Sequence, residues 1–267
     1  MKPLKISIVT VTYQAAAILE KTIQSVIFQK KNDLLELEYW IIDGGSTDGT
    51  LDLIQKYQSH LTGWISEKDK GIYHAMNKGI SNASGDWIGF MNAGDQFNNL
   101  EVLYNLFTQV RPDAEVIYGN YHIEYQSFAK PKLVPADLNN FWQGMLLNHQ
   151  SVFIKTELAK KYPFDLTYRL AGDYAQLYNL YMKGCIFQYV NIFVARFADG
   201  GESAKRKITY IREIEDIVFK HEAPVLAKRI HFILTRTKVR LTAWLNRCLP
   251  AAAFEKLMRL KHRLIGY

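Results

Sequence analysis

Six short polar stretches carry the side chains that could do chemistry. They are "TVTYQ" (residues 10–14), "DGGSTDGT" (43–50), "EKDKG" (67–71), "NAGD" (92–95), "NHQ" (148–150) and "AGDYAQL" (171–177). Asp95 closes a buried-looking run, "DWIGFM", and a lone hard carboxylate there can ligate a divalent cation if water and phosphate oxygens fill the other positions. Asp43 also ends an apolar run and can accept hydrogen bonds from a nucleobase. Asp173 stands at the start of a helical pattern, where a helix N-terminus favours its charge and a general base could sit. Each has a plainer reading. "DGGSTDGT" is also simply a turn, whereas with Asp43 on a base the Ser46, Thr47 and Asp48 side chains cap the next helix; "NAGD" is also an Asx turn, and Asp173 is also an ordinary N-cap. His149, a lone histidine, is more often a structural residue than a ligand, and the functional alternatives are that it lines an acceptor pocket or approaches the metal.

Elements of alternating period must hold these stretches in place. Ile6, Ile8, Val9 and Val11 read as a strand, and Ile18, Leu19, Ile23, Val26 and Ile27 recur at helical spacing. Tyr39 to Ile42 form the next strand, with Leu51, Ile54 and Tyr57 on a helix behind it. "GWISEKDKGIYHAMNKGI" repeats strand, turn and helix, and "DWIGFMNAGD" is followed by a helix bearing Leu100, Leu103, Leu106 and Phe107. Such βαβα alternation predicts a mostly parallel, doubly wound sheet covered by helices on both faces. Ligands of such sheets sit beyond the carboxyl ends of the strands, and the first four polar stretches all fall there. Further on, "AEVIYGNYHIEY" reads as a strand, residues 126–148 as a long loop, "SVFIK" and "CIFQYV" as strands, and a helix begins near Asp173. Asp86 reads as a turn residue and Glu67 as a partner for a nearby Lys.

Composition narrows the class. The 267 residues are 48% hydrophobic, enough for a full core and a domain with an appendage. Cys185 and Cys248 stand far apart in no ligand spacing, which suits a reduced, intracellular protein without structural zinc. The opening "MKPLKISIVTVTY" has no separate apolar segment and cleavage site, so a secretory signal is not expected, and no run is long and apolar enough to span a membrane. Of the net charge of +7, residues 220–267 contribute +9, from eleven Lys or Arg against Glu222 and Glu255, leaving −2 for the rest. "DGGSTDGT" lacks both the Gly-Lys-Ser/Thr ending of a Walker loop and the spacing of a dinucleotide fingerprint.

Taken in order, "IVTVTY", "DGGSTDGT", "SEKDKGIYHAMNKGI", "GDWIGFMNAGD", "NHQ" and "AGDYAQL" resemble the family 2 glycosyltransferases of GT-A fold, and most of all the bacterial branch that builds capsule, exopolysaccharide and lipopolysaccharide. The likeness spans about residues 4–205. It implies an inverting transfer of sugar from a nucleoside-diphosphate donor, with Mn2+ or Mg2+, to a saccharide or lipid-linked acceptor. By that resemblance Thr10 to Tyr13 cradle the base and ribose, Asp43 faces the nucleobase, and Asp69, Lys70 and Gly71 with Asn77 and Lys78 lie near ribose and phosphates. Asn92 to Asp95 take the place of the family's Asp-x-Asp motif, with Asp95 on the metal, and Asp173 takes the place of the general base. Relatives often carry two acids where this chain has Asp43-Gly44, and Asn92 and Gly94 replace other acids of the metal motif.

Two rivals stay open. A sugar nucleotidyltransferase also binds nucleotide and metal, but "TVTYQAAAIL" lacks its Gly-rich basic triphosphate loop. A non-catalytic carbohydrate-binding relative fits the reduced metal motif. Domain limits are expected at 1–222 for the catalytic domain and 223–267 for a basic tail of two amphipathic helices, entered at Pro224 and Pro250. Such helices suit either an anionic bilayer surface or packing on the catalytic domain, and no nucleic-acid-binding motif accompanies the charge. The expected location is cytoplasmic, with the tail able to hold the protein peripherally on the inner face of the cytoplasmic membrane.

Overall fold

The computed structural model describes residues 3–30, 33–124, 129–134, 138–198 and 201–248. Its first compact unit is Met1–Gly201 and its second Glu202–Tyr267.

In the first unit, β1 (Leu4–Thr12) lies between parallel neighbours β2 (Leu35–Asp43) and β4 (Trp87–Phe90), and β3 (Gly63–Ser66) extends the parallel set beyond β2. Helices α1 (Leu19–Ile27), α2 (Thr50–Lys56) and α3 (Ile72–Asn82) make the crossovers. β1 is buried from Ile6 to Thr12 because both faces are covered, and its apolar residues run on without a polar face. Ile6, Ile8, Tyr39 and Ile41 join Leu19, Ile23, Val26 and Ile54 in one core cluster.

Beyond β4 the sheet changes character. A two-residue strand β5 (Gln96–Phe97) and helix α4 (Val102–Phe107) lead to β6 (Val116–Glu124), β7 (Ala129–Lys132) and β8 (Val152–Lys155). After α5 (Thr156–Lys161) and α6 (Gly172–Met182) comes β9 (Phe187–Ala198). The order is β3-β2-β1-β4-β8-β6-β9-β5, with β7 on β6. β8 is antiparallel to both β4 and β6, while β9 is parallel to β6 and antiparallel to β5. The parallel order expected from the sequence therefore holds through β4, and the remainder is mixed. β7 occupies part of the stretch expected to be loop, whose residues 126–128 and 135–137 lie outside the described residues.

The second unit holds α7 (Glu202–Lys205), α8 (Lys207–His221) and α9 (Leu226–Cys248). α8 and α9 pack as a hairpin. Phe219 and Phe232 meet with ring centroids 5.8 Å apart, and Glu215 pairs with Arg236 and Glu222 with Lys228. α8 groups with the basic helix, so the compact units divide at 201/202, whereas the limit expected from the sequence lies at 222/223. The expected helix after Pro250 lies outside the described residues, as do residues 199–200.

Candidate active site

Three loops at the carboxyl ends of β1, β2 and β3 enclose a cleft of about 600 Å³. Val11, Thr12 and Tyr13 form one wall, Gly44 and Gly45 the floor, and Lys68, Asp69 and Gly71, with Ile72 and Ala75 of α3, the other wall. The first two loops are fastened together. The Gln14 amide N–H donates to Ser46 Oγ at 2.8 Å, its side chain exchanges hydrogen bonds with Thr47, and the Ala15 N–H donates to Thr50 Oγ1. Gln14 adopts φ 49°, a left-handed conformation rare for a residue with a side chain.

Tyr13 is 64% exposed and offers its ring to the cleft. Asp69 receives Lys78 Nζ at 2.5 Å and meets His74 Nδ1 at 3.0 Å. Burial would depress the Lys78 ammonium, but Asp69 and Glu67 outweigh it and raise its pKa. Gly71, at φ 123°, makes the turn into α3 in a region that side chains avoid. At Gly44 a Cβ would stand 3.2 Å from the Tyr13 ring and 3.3 Å from Asp69. A second acid beside Asp43 would thus crowd the cleft, which accounts locally for the Asp-Gly pair.

Three expected donor-binding residues do not offer free polar atoms to the cleft. Thr10 is wholly buried, its hydroxyl 2.8 Å from Tyr39 Oη and donating to the Met91 carbonyl. Asp43 is wholly buried too. Its carboxylate accepts from the Gly45 and Ser46 N–H groups and from the Ser46 and Ser66 hydroxyls, and so shapes the loop after β2. Asn77 spends both ends of its amide on the backbone N–H and carbonyl of Phe164. Asp48 binds the Thr50 N–H and hydroxyl, but helix α2 has Gly49 at its N-cap with no side-chain cap. Asp86 holds the Lys5 N–H, and Glu67 pairs with Lys78, as expected of each.

The fourth loop meets a different set of partners. Asp95 Oδ2 accepts from Gln150 Nε2 at 2.5 Å, Asn92 Nδ2 lies 2.8 Å from His149 Nε2, and His149 Nδ1 lies 3.2 Å from Asp173 Oδ2. Gln150 and His149 are adjacent in the chain. Asp95 and Asp173, remote in sequence, therefore flank one two-residue turn. Burial pushes the Asp95 carboxyl up to about 6, against the opposing pull of His149 and Gln150. Burial acts upward on Asp173 as well, but His149, the Tyr174 N–H and the Tyr73 hydroxyl outweigh it and hold its pKa low.

Tyr73 and Gln150 had no role in the sequence reading. Tyr73 donates to Asp173 Oδ1 at 3.0 Å across a separation of 100 residues. It also lines a second cavity of about 420 Å³ with Lys70, Gly71, Ile72, His74, Leu166, Tyr168 and Arg169. Gly71 and Ile72 border both spaces.

A divalent cation is compatible with the donors present. Among the described residues no group of three or more His, Cys, Asp or Glu converges as a preformed metal site. Beside Asp95 and His149, however, Asn92 Oδ1 and Gln150 Oε1 are buried acceptors without a protein partner. Buried oxygens left unpaired are costly unless something fills them, and hard cations bind carboxylate and amide oxygens.

The family-model comparison identifies "Glycosyl transferase family 2" over residues 7–164, more than half of the chain. The protein belongs to glycosyltransferase family 2. Relatives include an uncharacterised glycosyltransferase of Mycobacterium tuberculosis (strain ATCC 25618 / H37Rv), 29% identical over 63% of this chain and 65% of its own length. Another is the PGL/p-HBAD biosynthesis glycosyltransferase of Mycobacterium bovis (strain BCG / Pasteur 1173P2), 26% identical over 73% of this chain and 77% of that one. The chain thus spans 65% of the first relative's length. In fold it resembles Staphylococcus aureus TarS 1–349 in complex with UDP-GlcNAc, with a TM-score of 0.67 at 17% identity over 86% of this chain and 70% of that one. It also resembles the Pyrobaculum calidifontis mannosyltransferase PcManGT in complex with GDP-Man and Mn2+, with a TM-score of 0.66 at 16% identity over 98% and 80%. The family 2 chain has the GT-A fold expected from its sequence.

Proposed function

We propose that this family 2 protein moves a sugar, with inversion, from a nucleoside-diphosphate donor to a hydroxyl of a saccharide or lipid-linked acceptor in bacterial surface polysaccharide assembly. The observation that carries the reading is the cleft walled by Tyr13, Gly44 and Asp69, opening at the same strand ends whose fourth loop brings Asp95, His149 and Asp173 together. The nucleotide sugars bound by TarS and PcManGT support the donor class, and the PGL/p-HBAD biosynthesis glycosyltransferase supports a biosynthetic role. The work is expected on the cytoplasmic side of the membrane.

The donor's base and ribose lie against Tyr13 and the Gly44–Gly45 backbone, and Asp69, Lys70 and Gly71 stand toward its ribose and phosphates. Asp95 and His149 would hold Mn2+ or Mg2+, with Asn92 and Gln150 supplying neutral oxygens. When bound, the cation offsets the charge that builds on the departing diphosphate. Asp173 accepts the acceptor's proton through Oδ2, which faces His149 Nδ1 at 3.2 Å, while the Tyr73 hydroxyl and the Tyr174 N–H fix Oδ1. The acceptor approaches through the second cavity, which shares Tyr73 with this base.

The Asp173–His149 contact also favours a second assignment, in which His149 takes the proton and Asp173 orients the ring. Asp173→Asn should leave nucleotide-sugar binding intact and lower turnover by roughly 100-fold or more. If Asp173→Asn retains near-normal turnover while His149→Gln abolishes it with Mn2+ affinity unchanged, the base is His149. A protein that binds donor yet releases no nucleoside diphosphate above solvent hydrolysis would instead be a binding module.

A further inference from the structure

Helix α9 carries an apolar stripe on its outside. Leu226, Ile230, Ile233, Leu234, Leu241 and Trp244 fall within an arc of about 100° when successive residues turn by about 100°, so they share one face of the helix. Their exposures lie between 46% and 71%. Seven of the eighteen exposed large hydrophobic side chains among the described residues fall between Val225 and Trp244, a concentration that scattered surface leucines do not produce. The packed side of α9 is satisfied, with Phe232 buried and Lys228 and Arg236 paired to Glu222 and Glu215. The outward stripe has no such cover among the described residues.

Charge identifies the occupant. The 23 residues of α9 include no Asp or Glu. Arg229 and Arg240 fall along one edge of the stripe and Lys238 along the other by helical geometry, and none has an acidic partner among the described residues. A protein partner with an apolar groove would match the stripe but gives no reason for basic residues on both borders. An anionic bilayer matches both, with apolar side chains entering the acyl boundary and flanking cations at the headgroups. The helix is about 34 Å long at 1.5 Å per residue, yet it is not apolar enough to cross a membrane. We propose that α9 lies flat on an anionic lipid surface through the Leu226–Trp244 stripe, clasped by Arg229, Lys238 and Arg240. This goes beyond the sugar-transfer reading and does not depend on it, because lipid binding is measured without turnover.

The test is co-sedimentation of the full chain with vesicles of 30% phosphatidylglycerol in phosphatidylcholine and with vesicles of phosphatidylcholine alone. Binding should be at least fivefold greater on the anionic vesicles and fall with added 0.5 M NaCl. The double variants Ile230→Ser/Leu241→Ser and Arg229→Gln/Arg240→Gln should each lose at least fivefold in binding, with unchanged circular dichroism and melting temperature. Equal binding to both vesicle types, or undiminished binding by either folded variant, overturns the proposal. So does a lipid-free dimer, seen by light scattering, that Ile230→Ser/Leu241→Ser dissolves, because the stripe would then face a second copy of the chain. If either double variant melts early, the single changes Ile233→Ser and Arg229→Gln decide by the same twofold reading of sedimentation and melting, and unchanged binding by both again overturns it.

Discussion

Asp95 sits where burial and neighbouring donors pull its proton affinity in opposite directions, and burial prevails, leaving its carboxyl at about 6. A protonated carboxyl does not ligate a cation, so the proton and the metal compete for this side chain. Its raised folded pKa means that the ionised form is disfavoured by the free protein and predominates only above pH 6. Mn2+ affinity should therefore fall about fourfold between pH 7.5 and 5.5 from this group alone. Asp95→Asn should bind weakly at both values and lose most of that dependence. Calorimetric titration with Mn2+ at the two pH values checks this, and an Asp95→Asn variant as tight as the parent would remove Asp95 from the metal set. Positions such as Asp95, Asp69 and Tyr13 were legible in the sequence because a strand-like run delivers the next residue to the sheet edge. Whether a delivered side chain stays free depends on distant partners. Ser66 and Phe164 claim Asp43 and Asn77, and no local pattern announces either pairing.

At the scale of elements, the amino end of the parallel sheet is tied by one buried carboxylate. Glu38 on β2 accepts from Ser7 Oγ of β1 at 2.5 Å and from the Ser84 N–H and hydroxyl just before β4, with Lys5 Nζ at 3.2 Å. Burial works to raise its pKa, but these donors outweigh it and hold the carboxyl at about 2. The folded value lies below the unfolded one. Its stabilisation is therefore full above about pH 4.5 and is lost as pH falls from there through 2. Glu38→Gln should cost about 2 kcal/mol at pH 7, with the difference from the parent shrinking below pH 4.5. Urea unfolding at pH 7 and pH 3 measures it, and equal stability at pH 7 would contradict the role. The parallel strands β1 to β4 were legible from their apolar runs, since strands buried on both faces read as near-continuous apolar sequence, while the short β5 and β7 were not. The antiparallel insertion of β8 between β4 and β6 was not. Strand direction there is set by long excursions, and "SVFIK" reads the same in either orientation.

At the scale of the whole molecule, the two compact units divide at Gly201/Glu202, and helix α8 belongs to the second. Composition placed the limit at 222 because the excess of Lys and Arg begins near there, but charge reports on surface while a unit is defined by what its apolar residues bury. α8 contributes Ile214, Ile217 and Val218 as buried side chains, and its Phe219 meets Phe232 of α9. A chain ending at residue 222 keeps α8 but removes α9, leaving the Phe219 ring and Glu215 without Phe232 and Arg236. A chain ending at residue 201 removes the hairpin intact. The cleft residues all precede residue 76 and the Asp95–His149–Asp173 cluster ends at Asp173, so both chains retain the candidate site. The 1–201 chain should bind nucleoside diphosphate within about threefold of the full protein, since every residue of the candidate donor cleft belongs to the first unit. The 1–222 chain should show lower solubility and stronger binding of an apolar dye, because a helix that loses its partner exposes the face that it had buried. Dye fluorescence and light scattering of the two truncations, side by side with the full chain, decide it, and a 1–222 chain as soluble and dye-silent as the 1–201 chain would return the limit to residue 222.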